Sequence, residues 1–413
     1  MTFNTSERRL AIALFVALFL TACGGGGDGG DSPSNSNESN STPPASSKPE
    51  TPSTPTIPEE PSEPIQPNVQ PENDKAIASN DAIAALVASN TISLARTSCG
   101  LEGLDNDPAL EDIAIKHANY IKHVFANSTP TAFNAHYEGE IKDIKAWTGK
   151  NNPFFTGNIF EDRITKAAYP NAMYGVTENI GHTRYYSSAG NIATPENAAE
   201  SMAKSLLAAP YHLRSLMIPS LRLAGTSMVA YTPYGKKSAY NKGYVLNHNA
   251  AATSAINDAN FEGVFTYPCQ DVKGTVTALY NESPNPVKDT GRDLYMNPIG
   301  QPVYIHVPSA ASIKVSNVKF HDVKRNIDVP VQLLDADNDP YKGHTNYQLP
   351  VNEAFIMPLT DDLQSCDMQR APNQSQQCGL YGNSEYRVSF DVLVDNKDRQ
   401  SKSFTFKTGE VTY

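Results

Sequence analysis

Apolar residues recur at helical spacing between about residue 78 and residue 269. The first predicted helix runs from Ala82 to about Arg96, and either Asn80 or Asp81 can cap its N-terminus. Its larger apolar side chains follow one side of the helix, and the spacing predicts that this side is buried. These side chains are Ile83, Leu86, Val87 and Leu94.

A second stretch, PALEDIAIKHANYIKHVFAN (108–127), carries one apolar stripe and has a proline near its start. His117 lies on this stripe, and we interpret it as a core histidine bonded to backbone. A third helix is predicted to begin at Thr194-Pro195, and two β-rich stretches follow at 222–231 and 243–251. Helices that flank a small sheet predict an α/β sandwich.

From residue 270 to residue 413 the pattern changes to the alternation of β-strands. Clusters of Pro, Asn, Asp and Gly separate the alternating segments, which predicts an all-β antiparallel sandwich of Ig-like type. The predicted strands are 274–280, 302–307, 313–320, 329–335, 353–359, 386–394 and 403–409.

The N-terminus resembles an export signal. Arg8-Arg9 precede an apolar run from Leu10 to Leu20, which would span roughly 16 Å as a helix and is too short to cross a membrane. The following Leu20-Thr21-Ala22-Cys23 resembles the lipobox of bacterial lipoproteins, so residues 1–22 are predicted to be a signal peptide and Cys23 the lipidated residue. An ordinary secretory signal with an incidental cysteine is the alternative. Gly24, by resemblance to Gram-negative sorting rules, implies the outer membrane.

Residues 23–77 are predicted to form a disordered tether that is rich in Gly, Ser and Pro. Between residues 24 and 75 there are eleven prolines, nine acidic residues and two lysines, with almost no large apolar side chain. Such a segment buries too little surface to offset its ordering entropy. We expect it to hold the folded part away from a membrane, and a spacer of no specific length is equally compatible.

Charge excludes one class of partner. The chain has 33 basic and 44 acidic residues, a net charge of −11, which argues against nucleic-acid binding because that needs a basic face. The predicted partners are instead a membrane, through the lipid anchor, and a lipid, a glycan or an envelope protein as ligand.

Four cysteines remain after Cys23 and allow three pairings. The short loop favours Cys366–Cys378, which leaves Cys99–Cys269 to join the two ends of the middle region. An even number in an exported protein is typical of disulfides.

Several segments of the middle region occur in the order found in one family. NTISLARTSCGLEGLDNDPALEDIAIKHA (90–118), NAHYEGE (134–140), the stretch ending in TENI (177–180) and AAPYHLRSLMIPSLRLAGTSMV (208–229) resemble the bacterial, SCP-like form of the CAP domain. This family comprises cysteine-rich secretory proteins, antigen 5 and pathogenesis-related proteins. The resemblance implies a CAP-type α-β-α sandwich over residues 78–269, followed by the Ig-like sandwich of residues 270–413.

The resemblance also implies a cleft with two histidines and two acids. These positions fall on His136, Glu178 and His212, while the fourth, an acid in eukaryotic members, falls within Leu206–Ala209 and is missing. Glu138 is the best local substitute. His136, Glu178 and His212 could hold Zn²⁺ or another divalent metal, or the same side chains could form a hydrogen-bonded network without metal.

Three functions remain open at this point. Family resemblance favours a ligand-binding module, because CAP domains are mostly not enzymes and several resemble sterol or lipid carriers. The second is a metal-assisted protease or esterase that uses His136, Glu178 and His212. The third is a structural or adhesive role on the cell surface.

Overall fold

The structure, a computed structural model, describes residues 74–253, 261–344, 347–365 and 378–411, and for residues 74–80 it describes the helical backbone alone. The predicted signal peptide, Cys23 and nearly all of the predicted tether lie outside the described residues. The first helix begins at Asp74, so the last four residues of the predicted tether are helical. Within the described part of the chain, no helix is long and apolar enough to cross a membrane.

The first half of the described chain forms a mixed sheet with helices on both faces. Its four strands lie in the order β1-β3-β4-β2, where β1 is parallel to β3 and the other pairs are antiparallel. The helices are α1 (Asp74–Ser98), α2 (Pro108–Asn127), α3 (Phe160–Lys166), α4 (Pro195–Leu206) and α5 (Pro210–Leu216). The strands are β1 (Asp105–Asn106), β2 (Val176–Tyr186), β3 (Leu221–Tyr231) and β4 (Asn241–Ala252).

Apolar side chains along the strands point alternately to the two faces of the sheet, and each face packs against different helices. Val229 and Val245 share an apolar cluster with α2, whereas Met228 and Leu246 share one with α1 and α4. Neighbouring residues of a strand point to opposite faces of its sheet. The sheet is therefore the middle of three layers, as the α/β prediction requires.

The buried side of α1 differs from the prediction. Ile83, Leu86 and Leu94 are 53%, 59% and 67% exposed, while Ala84 and Ala88 are fully buried. The helix has a second apolar stripe of mostly small residues, and it packs closely against α4 through that stripe. Small side chains let two helix backbones approach, which spacing alone does not indicate.

The second half of the described chain contains two β-sheets. One has the order β10-β11-β7-β5 and the other β6-β13-β12-β8-β9, and both contribute to one apolar cluster. Six of the seven predicted strands are present, whereas of the predicted strand 274–280 only the first two residues belong to a strand, and that strand pairs in parallel with its neighbour. The strands are β5 (Phe265–Tyr267), β6 (Lys273–Thr275), β7 (Val303–His306), β8 (Ile313–Asp322), β9 (Ile327–Asp328), β10 (Val331–Asp335), β11 (Glu353–Pro358), β12 (Glu385–Val394) and β13 (Asp398–Thr408).

Strand β5 joins the two halves. It precedes residue 270, where the second domain was predicted to begin, yet it pairs with β7 of the second half. Two residues later Cys269 forms a disulfide with Cys99, at a Cα–Cα distance of 5.6 Å. This confirms one predicted pair; for the other, Cys366 lies outside the described residues.

Side chains from both halves meet around α5. Arg214 Nε donates to Glu353 Oε2 at 2.6 Å, and the Tyr211 hydroxyl lies 3.3 Å from Asp339 Oδ1. The apolar cluster that contains α1 and α4 also continues into the β-sheets of the second half. The end of the first region that carries α5 is thereby covered by the second.

Candidate functional site

The four predicted cleft residues are all buried. His136, Glu138, Glu178 and His212 are at most 2% exposed. The structure brings His136 to Glu178, with Nδ1 2.8 Å from Oε2, and places the His136 and His212 rings 6.4 Å apart. Glu138, in contrast, contacts neither of these histidines and pairs with His117. The structure thus brings three of the four close together, in an enclosed site.

Glu178 is held by an arginine from α3. Arg163 Nη2 donates to both carboxylate oxygens at 2.8 and 2.7 Å, and Nη1 donates to the His136 carbonyl at 3.1 Å. Asn247 of β4 adds a contact to Oε1 at 3.3 Å. Burial alone would raise the pKa of Glu178, but Arg163 and the nearby histidines hold it far below its usual value. Glu178 is therefore a buried carboxylate with both oxygens in use.

His117 forms a second pair beside the first. Its Nδ1 lies 2.8 Å from Glu138 Oε1, and its Nε2 lies 2.7 Å from the Ala135 carbonyl. Glu138 also accepts from the backbone N–H groups of Thr156 and Gly157. Burial would raise the pKa of Glu138, but His117 and Arg163 lower it overall. The prediction of a backbone bond for His117 is confirmed, and its second bond, to Glu138, was missed.

We call His117, His136, Glu138, Arg163 and Glu178 the polar cluster. Its members come from α2, the loop after it, α3 and β2, so the cluster fastens the loop of residues 134–140 to the sheet and to α3. Burial lowers the pKa of His136 despite its contact with Glu178. All four carboxylate oxygens of Glu138 and Glu178 are hydrogen-bonded within the protein, which stabilises the fold and leaves neither carboxylate directed at a substrate.

An acid from the second half of the chain lies against His212. Glu282 Oε1 lies 3.3 Å from His212 Nδ1 and accepts the Tyr211 N–H at 2.8 Å. The N-cap residue of α5 is Ala209, which has no side chain to bond the helix start, and Glu282 takes that role. Glu282 lies 70 residues from His212 in the chain, so no local motif predicts this contact.

We call His212 and Glu282 the interdomain pair. Burial raises the pKa of Glu282 well above its ordinary value and lowers the pKa of His212 well below its own. Both groups therefore favour their neutral forms. Among the described residues, His212 Nε2, Glu282 Oε2 and the amide nitrogen of Asn179 have no hydrogen-bond partner although they are buried. These atoms can still receive a polar group.

The side chains present do not fit the metal hypothesis. Both oxygens of Glu178 are engaged by Arg163 and His136, so the carboxylate is not available as a ligand. Among the residues that the structure describes, no three His, Cys, Asp or Glu side chains form a group that could hold a metal ion. We therefore derive no chemistry through a metal.

No protein-family model matches the chain, and a search of curated proteins finds no match to it. The likeness to the CAP domain accordingly rests on the segments quoted above and on the positions of His136, Glu178 and His212.

Proposed function

We propose that this protein is an exported, lipid-anchored component of a bacterial outer membrane, and that it binds a ligand or partner without chemical turnover. In this proposal residues 78–269 are a CAP domain and the Ig-like region covers its cleft. The N-terminal sequence, with Cys23 after a short apolar run, supports export and anchoring.

One observation carries the binding function: every carboxylate oxygen of the polar cluster is hydrogen-bonded, while Glu282 Oε2 of the interdomain pair is not. Catalysis by acid and base needs a group that reaches the substrate, and the paired carboxylates have none to offer. A buried polar atom without a partner costs about 1–3 kcal/mol, so His212 Nε2 and Glu282 Oε2 favour occupancy by a hydrogen-bonding group.

The neutral forms of the interdomain pair indicate the ligand's chemistry. An uncharged histidine beside a protonated carboxyl group offers a donor and an acceptor and no net charge. A hydroxyl or amide group suits this pair better than an ion does. Glycans, lipid headgroups and peptide amides from an envelope protein all supply such groups.

The test is ligand recovery from the full chain produced in a bacterial envelope. Solvent extraction and mass spectrometry would compare the parent with H212A and E282A, using H321A, at an exposed pair with Asp328, as the matched control. We expect a bound lipid or glycan in the parent and the control, at least about tenfold depleted in the two variants. Equal recovery from all four proteins would contradict binding at the interdomain pair.

A hydrolase is the second candidate, because His212 keeps a ring nitrogen free to take up a proton next to an acid. Peptide and ester libraries would then show turnover that H212A abolishes. Turnover that survives H212A would come from another site or a contaminant. A structural role predicts neither ligand nor turnover, with a phenotype only when a whole domain is deleted.

A further inference from the structure

A groove lies along the free edge of β3, apart from the polar cluster. Its volume is about 390 Å³. Because α1 and α2 cover opposite faces of the sheet, the groove has one wall from each helix, and its floor is the strand edge itself. We call it the β3-edge groove. The residues that line it include Ala82, Ala85, Ile115, Phe154, Thr226 and Met228.

Within the part of the chain that the structure describes, no strand pairs with this edge of β3 beyond Ala224, because β1 is short. β1 pairs only with Leu223 and Ala224, and the Ala224 carbonyl accepts from the Asp107 N–H at 2.8 Å. Farther along, the N–H of Ala230 faces the Asp81 carboxylate. Both groups point away from β4, to the open edge.

The residues between these two ends expose their backbone to the groove. In a strand, the N–H and C=O of alternate residues point to the same side. Since Ala224 and Ala230 point to the open edge, Thr226 and Met228 do so as well. Each offers one donor and one acceptor, and buried backbone groups of this kind are nearly always paired.

The walls accept the alternating side chains of a strand. On the wall formed by α1, the small side chains of Ala82 and Ala85 leave space for an occupant. On the opposite wall, Ile115 and Phe154 present an apolar surface. Two acids, Asp81 and Glu111, and one base, Lys122, leave the groove with a formal charge of −1, which disfavours acidic side chains in an occupant. The Asp81 carboxylate also faces the Ala230 N–H, so it limits the groove at that end.

We propose that the β3-edge groove binds an extended peptide segment of a partner protein, which adds to the sheet beside β3 in line with β1. The open stretch, 226–229, spans about 14 Å at strand spacing, so a segment of roughly four to six residues fits. Its side chains are small or apolar and include no acid. This binding mode is strand addition, in which main-chain bonds supply affinity and the walls supply selectivity. It is independent of the function proposed above.

The probe is a decapeptide found by selecting a random display library on the full chain. A82W places a large ring in the groove from an exposed position on α1, and N90W, exposed on the same helix away from the groove, is its matched control. We expect at least about tenfold weaker binding with A82W and an unchanged affinity with N90W. Circular dichroism and melting would show that both variants fold.

Two further measurements address the ladder itself. Hydrogen exchange at the amides of Thr226 and Met228 is expected to slow when the peptide binds. N-methylation of alternate peptide amides is expected to abolish binding, and methylation of the intervening amides to leave it intact. The proposal is overturned by a library without binders, by binders indifferent to A82W, or by equal effects of all N-methyl groups. Self-association that A82W abolishes would assign the groove to a second copy and also overturn it.

Discussion

At the scale of single residues, the pair of Arg163 and Glu178 is where a small change has the largest expected effect on stability. Both side chains are at most 2% exposed, and the guanidinium contacts both carboxylate oxygens. Removing one partner leaves an uncompensated buried charge, which costs about 3–5 kcal/mol. We expect R163A to lower the free energy of unfolding by this amount in urea titrations.

The control for that prediction is another ion pair of the same region. Lys116 and Asp112 lie one helical turn apart on α2 and are about half exposed. Exposed pairs of this type contribute roughly 0.3–0.5 kcal/mol, so K116A is expected to change stability little. A loss below about 1 kcal/mol in R163A would show that the polar cluster is not a main support of the fold.

Glu282 permits a prediction whose sign depends on pH. Its pKa is raised above the ordinary 4.5, so the stability it contributes is complete below that value and is lost as pH rises through the raised pKa. Glutamine is neutral at every pH and can still accept the Tyr211 N–H. We therefore expect E282Q to gain stability relative to the parent between pH 5 and pH 8, while E282A loses about 1–3 kcal/mol at pH 5. Urea unfolding at both pH values measures this, and a parent–E282Q difference that is constant with pH would contradict it.

At the scale of elements, Gly225 decides how closely α2 packs on the sheet. A Cβ atom there would lie 2.0 Å from the Glu111 backbone nitrogen, so any side chain would push the helix away from β3. We expect G225A to cost at least about 1–3 kcal/mol, as overpacking does, and to lower the melting temperature. G139A is the matched control because a Cβ atom at that glycine would have no neighbour within 4 Å. Equal melting temperatures for the two variants would be inconsistent with this packing.

Element-level features were the part best predicted from sequence. Periodicity located α2, α4 and six strands because each follows a single apolar pattern. It chose the wrong side of α1, where an exposed stripe with Ile83 and Leu86 competes with a buried stripe of alanines. Hydrophobicity predicts that the larger side chains are buried. In the structure the smaller ones are buried, because they allow the two helices to pack closely.

The candidate site was predicted only in part, for a different physical reason. Local motifs marked His136, Glu178 and His212, but a pairing between distant segments has no local signal. Glu282 reaches His212 from the other half of the chain, and His117 contacts Glu138, which lies 21 residues further along the chain. The enclosure of the site, which follows from how the two halves pack, had no signal in either half alone.

At the scale of the whole molecule, four of the six buried histidines among the described residues have a lowered pKa, which makes the fold sensitive to acid. Burial lowers the pKa of His136 and His212, and it lowers the pKa of His182 and His248 to about 3. A lowered histidine pKa gives stability that is present above the unfolded value of about 6.5 and is lost as pH falls below it. Each group contributes up to about 1.4 kcal/mol per pH unit.

This loss can be separated from that of the carboxylates, which begins only near pH 4.5, the ordinary pKa of Glu178. Between pH 6.5 and 4.5 we expect the free energy of unfolding to fall steeply, with Glu282 opposing the trend. H182Q and H248Q each remove one titrating group, from β2 and β4 respectively, and each should reduce the slope by about 1.4 kcal/mol per pH unit. The measurement is urea unfolding at half-unit pH steps. A slope that neither variant changes would mean that these histidines take up protons without unfolding, and that the sheet is more accessible to water than its burial indicates.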